Sequence, residues 1–205
     1  VEVISPQTAP QRATVEVRVS GATESEADLS DTGMVWGEGL HDFYAFYPAD
    51  AVQANSGSIV ATAIPAVQTY HNGECNMQYA YMAACTQGVE RGGEVPFRFR
   101  PLMTTVTIQV GFSEAAEVQK LVLSSENGPI AGGFTFDIET DRCSVIPGKG
   151  SNVLALHLMS GDVPYIQLSA GSKVAVTTQG KTYSYTTPAT LKAGPVSYTH
   201  LTLPT

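Results

Sequence analysis

Three acidic residues alternate where a short strand-like segment ends: Asp137, Glu139 and Asp141. A calcium site or an acid–base pair would need several such carboxylate oxygens to converge on one point. Strand alternation places Asp137 and Glu139 on the same face. The same spacing is also normal for a solvated strand edge, where exposed carboxylates are the rule. We therefore interpret these residues as a solvent-facing edge and expect no bound metal ion and no cofactor.

His41 next to Asp42 matches part of the nucleophile–base arrangement of hydrolases. No G-x-S-x-G motif supplies the nucleophile, although triad partners need not be close in sequence. Cys75, Cys85 and Cys143 lack the CxxC or HxxxH spacing of zinc ligands, so we interpret them as structural and leave a Cys75–Cys85 pair open. We predict that the protein is not an enzyme, and a surface hydrolase is the weakest of three hypotheses.

Aromatic residues are concentrated in the first half of the chain. They are Trp36, Phe43, Tyr44, Phe46, Tyr47, Tyr70, Tyr79 and Tyr81. Such a cluster could stack sugars as an exposed platform, or it could form a β-domain core with the tyrosine hydroxyls at the rim. Alternation divides residues 43–47 between two faces, so roughly half of that run could be exposed. Trp36, Tyr44 and Tyr47 are the candidate ligand-binding residues.

The charge balance argues against several kinds of partner. The formal net charge is −8 and the pI is about 4.9, with no basic stripe. A nucleic-acid backbone or an anionic membrane surface would be repelled, so we expect neither as a partner. No apolar run approaches the roughly 18 residues of a membrane-spanning helix. Because the chain starts at Val1 rather than Met, a signal peptide or a lipobox cysteine could have preceded it.

Period-two alternation predicts strands throughout the chain. The predicted strands are 13–19, 103–110, 118–123, 134–138, 153–158, 165–168, 174–177 and 182–186. Turn signals separate them, including Gly132–Gly133, residues 147–150 and a tight hairpin at Gln179–Gly180. This spacing predicts an all-β fold of two tandem antiparallel β-sandwiches, with little helix beyond one or two turns at 113–117. We place the domains at residues 1–98 and 99–205.

Six segments, in order, resemble recurring core sequences of the fimbrillin-like surface proteins of Bacteroidetes-type bacteria. They are FYAFYP at 43–48, IPAVQ at 64–68, QYAYMAA at 78–84, VPFRFRPLMTTV at 95–106, IAGGFTF at 130–136 and TLKAG at 190–194. Each segment is short and of low specificity. Their order and spacing over most of the chain, from about residue 36 to 194, support the resemblance.

This resemblance implies a non-enzymatic subunit of a cell-surface pilus, or a surface lipoprotein, exported to the outer membrane. It implies two transthyretin-like or immunoglobulin-like sandwiches that assemble by strand exchange. The expected partners are therefore other pilin subunits, with membrane contact only through a lipid anchor that this chain does not contain. The alternative function is a surface module that binds a carbohydrate or a host ligand.

The chain departs from the family pattern at two places. Residues 98–101 replace the basic "kH" of the middle strand, so no role of that histidine can be carried over. Residues 195–205 resemble translated sequencing-adapter sequence, which would make them non-native and the native C-terminal strand missing. The alternation of Val196, Tyr198 and His200 would nevertheless fit a strand.

Overall fold

The computed structural model describes residues 1–19, 27–69, 77–111, 120–124, 128–157, 165–168, 173–178, 181–186 and 194–202. Nearly all of the regular structure in this part of the chain is β-strand, which confirms the predicted all-β class. The helical segments described are two short 3₁₀ turns, η1 (Ala49–Ala51) and η2 (Met77–Tyr79). The predicted helical turn at 113–117 lies outside the described residues.

The strands are β1 (Glu2–Ile4), β2 (Thr8–Ala9), β3 (Arg12–Thr14), β4 (Val17–Val19), β5 (Ala27–Leu29), β6 (Val35–Trp36), β7 (His41–Tyr47), β8 (Ala54–Ser56), β9 (Ile59–Ile64), β10 (Val67–Thr69), β11 (Met82–Val89), β12 (Arg100–Pro101), β13 (Thr104–Gly111), β14 (Lys120–Ser124), β15 (Ala131–Asp137), β16 (Arg142–Ser151), β17 (Val153–His157), β18 (Tyr165–Leu168), β19 (Lys173–Thr178), β20 (Lys181–Thr186) and β21 (Gly194–Thr202).

Most of the described strand pairs are antiparallel, as predicted. The two five-stranded sheets have the orders β12–β11–β7–β1–β3 and β10–β17–β14–β19–β20. The smaller sheets are β16–β15–β9–β8, β18–β13–β21, β2–β6 and β4–β5. Two pairs, β10 with β17 and β13 with β21, are parallel.

The chain separates into two compact units. The first contains Val1–Thr62, Tyr81–Arg100 and Thr135–Ser144, and the second contains Ala63–Ala80, Pro101–Phe134 and Val145–Thr205. The predicted domain boundary between residues 98 and 99 stays a prediction.

The first unit is organised around β7. This strand pairs with β1, where Val3 lies opposite Ala45, and with β11, where Ala84 lies opposite Ala45. Side chains alternate along β7, so Phe43 and Phe46 belong to opposite faces of the sheet. Phe46 is fully buried on its face. The face of Phe43 carries a buried apolar cluster composed of Val3, Val15, Phe43 and Val89.

The second unit has β14 as a central strand, between β17 and β19. Leu123 of β14 lies opposite Leu154 of β17, and both side chains are fully buried. The predicted hairpin is present as the antiparallel pair β19–β20, in which Thr178 lies opposite Lys181. Its two turn residues lie outside the described residues. Burial of paired apolar side chains from neighbouring strands is the main stabilisation of such a sheet.

Two of the predicted turns are wrong. Gly132 and Gly133 lie inside β15, and residues 147–150 lie inside β16. Gly132 has a φ of +102°, and a Cβ there would overlap the carbonyl oxygen of Lys149. Glycine therefore serves here to let two strand backbones approach closely rather than to end a strand.

Residues 194–202 form β21, which runs parallel to β13 with Thr199 opposite Ile108. The alternation of this segment is thus accommodated in a strand, and its resemblance to adapter sequence stays a prediction. Within the described parts of the chain, no helix has the length and apolar character required to cross a membrane.

Candidate functional site

An apolar groove of about 100 Å³ opens on the first unit. Its lining combines side chains from β1 and β7 with side chains from two segments that are far apart in sequence. The lining residues are Val3, Thr8, Thr32, Met34, Trp36, Phe43, Val95 and Phe97. Val3 and Phe43 belong to the buried cluster, and Met34, Trp36, Val95 and Phe97 pack against that cluster while staying partly exposed.

The first wall of the groove is the segment that leads into β6. This short strand pairs with β2, where Trp36 lies opposite Thr8. Just before it, two backbone donors are bound by side chains of the same segment. The amide of Gly33 donates to Oδ1 of Asp31 at 3.0 Å, and that of Met34 donates to Oγ1 of Thr32 at 3.1 Å. In the described residues β6 pairs with no other strand, so its second edge is open.

The second wall of the groove is the segment 94–99. Its exposure alternates as in a strand, with Val95, Phe97 and Phe99 partly buried and the residues between them exposed. The described structure nevertheless gives residues 94–99 no backbone–backbone hydrogen bond. The carbonyl of Pro96 accepts a hydrogen bond from the hydroxyl of Thr86. Apart from that carbonyl, this wall is a strand-like segment whose backbone has no backbone partner in the described structure, the arrangement that a further strand can complete.

The floor of the groove is supported by a buried histidine. His41 is fully buried, and its ring centroid lies 4.9 Å from that of Trp36 and 6.3 Å from that of Phe43. Its Nε2 accepts a hydrogen bond of 2.9 Å from the amide of Gly37. A Cβ at Gly37 would overlap the carbonyl oxygen of Gln7, so only glycine fits between that carbonyl and the ring. These contacts give His41 a structural role beneath the groove.

The structure places the three predicted ligand-binding residues in three different environments. Trp36 lines the groove and is partly buried. Tyr44 is 4% exposed, and its hydroxyl donates to Oε2 of Glu139 at 3.3 Å. Burial raises the pKa of Tyr44, and a hydrogen bond with Gln87 opposes that rise. Tyr47 is partly buried at the end of β7, opposite Met82. Tyr44 and Tyr47 are not among the described groove residues, and the shared sugar platform stays a prediction.

The acidic residues at the β15–β16 turn are each bound to a different partner. Asp137 accepts hydrogen bonds from the hydroxyls of Thr140 at 2.6 Å and Ser58 at 2.8 Å. These bonds hold the pKa of Asp137 below its ordinary value. Asp141 forms an ion pair with Arg100. In the part of the chain that the structure describes, no group of three His, Cys, Asp or Glu residues could hold a metal ion.

The cysteines that the structure describes, Cys85 and Cys143, carry free thiols. Cys75, the partner that the sequence left open for Cys85, lies outside the described residues. Sequence reasoning also missed Met34, Val95 and Phe97 as groove residues. The alternation of Val95 and Phe97 was the available signal, but on its own it predicts an ordinary paired strand.

The fold and the groove define an all-β protein that presents an apolar surface between the open edge of β6 and the segment 94–99. Comparison with known proteins identifies the family: the fimbrillin-like family model matches residues 5–204, and the chain belongs to this family. The resemblance found in the sequence is thereby confirmed.

Two solved structures share the fold. A candidate cell adhesion protein from Bacteroides uniformis is 12% identical, with a TM-score of 0.63 over 98% of this chain and 84% of that one. A candidate cell adhesion protein from Bacteroides ovatus is 19% identical, with a TM-score of 0.54 over 89% of this chain and 67% of that one. No curated protein matches the chain.

Proposed function

We propose that this protein is a structural, adhesive subunit of a cell-surface fimbria, exported to the outer membrane and without enzymatic activity. Membership of the fimbrillin-like family over residues 5–204 supports the fimbrial role. The proteins of similar fold from Bacteroides uniformis and Bacteroides ovatus are both described as candidates for cell adhesion, which supports the adhesive role. Contact with the membrane would occur through a lipid anchor, and the two units would act as transthyretin-like sandwiches.

We further propose that subunits assemble by strand exchange at the groove of the first unit. The observation that carries this proposal is the segment 94–99, which has the side-chain alternation of a strand and no backbone–backbone hydrogen bond in the described structure. An incoming strand from another fimbrillin subunit would bind the backbone groups of this segment along its main chain, except at Pro96, which has no amide hydrogen and whose carbonyl already accepts from Thr86. Its alternate side chains would enter the apolar groove, which is how added strands acquire register.

The size of the groove limits what the incoming strand presents. A volume of about 100 Å³ is smaller than the roughly 150 Å³ of a cavity that holds benzene, so one aliphatic side chain would fill it. Burial of such a side chain contributes about 1.5–3 kcal/mol. Each main-chain hydrogen bond adds a net of about 0.5–1.5 kcal/mol. Several hydrogen bonds together would therefore contribute at least as much as the side chain, and the side chain would set the register.

A charge placed in the groove is expected to abolish assembly. Phe97→Asp would put an unpaired carboxylate where the incoming apolar side chain must bind, and desolvating that carboxylate is costly. Ile59→Asp is the matched control, because Ile59 is 43% exposed on β9 of the same unit and does not line the groove. Light scattering after size-exclusion chromatography would measure the mass of each protein over a range of concentrations.

We expect the wild-type chain and Ile59→Asp to form oligomers and Phe97→Asp to stay monomeric with an unchanged circular dichroism spectrum. Oligomers that are lost equally in both variants would show that the groove is not the assembly site. Persistent monomers of the wild-type protein with its native termini would contradict strand exchange altogether.

A second candidate function is the binding of a carbohydrate or a host ligand. Trp36 favours it, because its indole is partly exposed at the groove, and an exposed indole is a suitable surface for stacking a sugar ring. A glycan array would test it, with Trp36→Ala and Tyr47→Ala as variants. An array without hits, or affinities unchanged by both substitutions, would exclude this function.

A further inference from the structure

We propose that His41 positions the Trp36 wall of the groove and that protonation of its ring releases that wall, which makes the groove sensitive to pH. The consequence for assembly rests on the proposed function. The release of Trp36 itself is a property of the single chain. It can therefore be measured whether or not subunits exchange strands.

The neutral ring is the form that fits the structure. Nε2 of His41 accepts the amide hydrogen of Gly37 at 2.9 Å, so this nitrogen carries no proton. Nδ1 is buried and has no hydrogen-bond partner in the described structure. The proton of the neutral ring therefore resides on Nδ1. A second proton would have to bind Nε2, directly opposite a backbone donor.

No charged group in the described surroundings of His41 would stabilise a protonated ring. The ring contacts Trp36 and Phe43, and the residue opposite His41 on β11 is Val89, none of which ionises. Asp42 and Glu38 are close to His41 along the chain, Glu90 follows its strand partner Val89, and none of the three forms an ion pair with His41 in the described residues. Asp42 belongs to the other face of β7 and accepts the amide of Gly88 at 2.9 Å, whereas Glu38 and Glu90 are exposed. A buried imidazolium without a partner is strongly disfavoured.

Protonation would therefore favour a state in which the ring reaches water. That state must give up the Gly37 hydrogen bond and the contact with Trp36, because both depend on the buried position of the ring. The closed wall binds no proton at His41 and the released wall binds one, so the closed wall is favoured at high pH and lost as the pH falls.

The test uses Trp36 as its own reporter, because it is the single tryptophan of the chain. Its emission would be recorded from pH 8 to pH 5 in dilute, monomeric wild-type protein. We expect a reversible one-proton transition with a red shift as the indole becomes exposed. His41→Gln should remove the transition, because a glutamine amide oxygen can accept the Gly37 hydrogen bond and does not titrate. His157→Gln on β17 is the matched control and should retain it.

Two results would overturn the proposal: a wild-type emission that does not change with pH, or a transition that persists in His41→Gln. Nitrogen NMR of the wild-type histidines keeps the test decisive if His41→Gln fails to fold. The neutral tautomer protonated on Nδ1 is expected for His41 at pH 8, and a charged ring there would overturn the proposal.

Light scattering at pH 8 and pH 5 then separates this inference from the proposed function. Oligomers that weaken at pH 5 in the wild type but not in His41→Gln would support the coupling of His41 to assembly. Oligomers equally strong at both pH values would overturn that coupling and leave strand exchange in place. Absence of oligomers at either pH, together with the emission transition, would support the release of Trp36 and contradict the proposed function.

Discussion

Gly132→Ala is expected to destabilise the second unit by about 2–6 kcal/mol, the sum of backbone strain and steric overlap. The φ of Gly132 is +102°, a conformation that residues with a Cβ rarely adopt. In addition, the new methyl group would overlap the carbonyl oxygen of Lys149 on β16. Since domains of this kind are stable by only about 5–15 kcal/mol, the loss would be a large fraction of the total.

Gly148→Ala is the matched control for that substitution. Gly148 also has a positive φ, +73°, but a Cβ there would meet no atom within 4 Å. Gly148→Ala is therefore expected to lower the free energy of unfolding by the backbone strain alone, about 1–2 kcal/mol. Urea unfolding followed by circular dichroism would measure both variants against the wild type. Equal losses would show that the close approach of Gly132 to Lys149 contributes nothing to stability.

Phe46→Ala is expected to destabilise the first unit by about 3–5 kcal/mol, the usual cost of emptying a fully buried aromatic site. Phe46 is 0% exposed, and its ring centroid lies 5.8 Å from that of Tyr81. It belongs to the face of β7 opposite Phe43, so the substitution leaves the groove lining itself unchanged. The expected result is a lower urea midpoint for the first unit.

Phe99→Ala removes the same side chain from a partly exposed position and serves as the comparison for Phe46→Ala. Phe99 contacts Phe97 with a centroid distance of 6.1 Å and is only partly buried. Truncation of Phe99 removes less buried apolar surface than truncation of Phe46. The loss of unfolding free energy for Phe99→Ala should therefore be clearly smaller. A loss for Phe46→Ala no larger than that for Phe99→Ala would contradict the assignment of Phe46 to a closed core.

The sequence predicted most of the strands because their alternation reflects one buried face. The predicted strand 165–168 coincides with β18, and those at 174–177 and 182–186 fall within β19 and β20. The prediction was less accurate at β15, where Gly132 and Gly133 indicated a turn. A glycine pair marks either a chain reversal or a close approach of two backbones, and only the position of Lys149 distinguishes the two.

The predicted strand at 13–19 shows a different limit. The structure divides it into β3 and β4, and between them the amide of Val15 donates to the carbonyl of Val1. β3 pairs with β1, whereas β4 pairs with β5. The continuous alternation of residues 13–19 therefore belongs to two strands in two different sheets. Alternation gives the face of each side chain but carries no information about which strand lies alongside.

For the same reason the groove could not be predicted. Its walls come from residues 32–36 and 95–97, which only the fold brings together. The alternation of Val95 and Phe97 correctly indicated a strand-like conformation. Nothing in the sequence indicated that this segment lacks a paired neighbour. The sequence also left open whether the aromatic residues of the first half of the chain are buried or exposed. In the structure Tyr44 is buried, whereas Trp36 stays partly exposed at the groove.

The central claim is that the unpaired segment 94–99 receives a strand from another subunit, and hydrogen–deuterium exchange tests it most directly. Exchange would be followed by mass spectrometry on peptides spanning residues 94–99, in the monomer and in the assembled protein. β7 provides an internal reference, since its pairing with β1 and β11 should protect it in both states.

We predict fast exchange at residues 94–99 in the monomer and strong protection in the assembly, because an added strand would bind the free amides. Equal and fast exchange in both states would contradict the account, since assembly would then leave this segment unpaired.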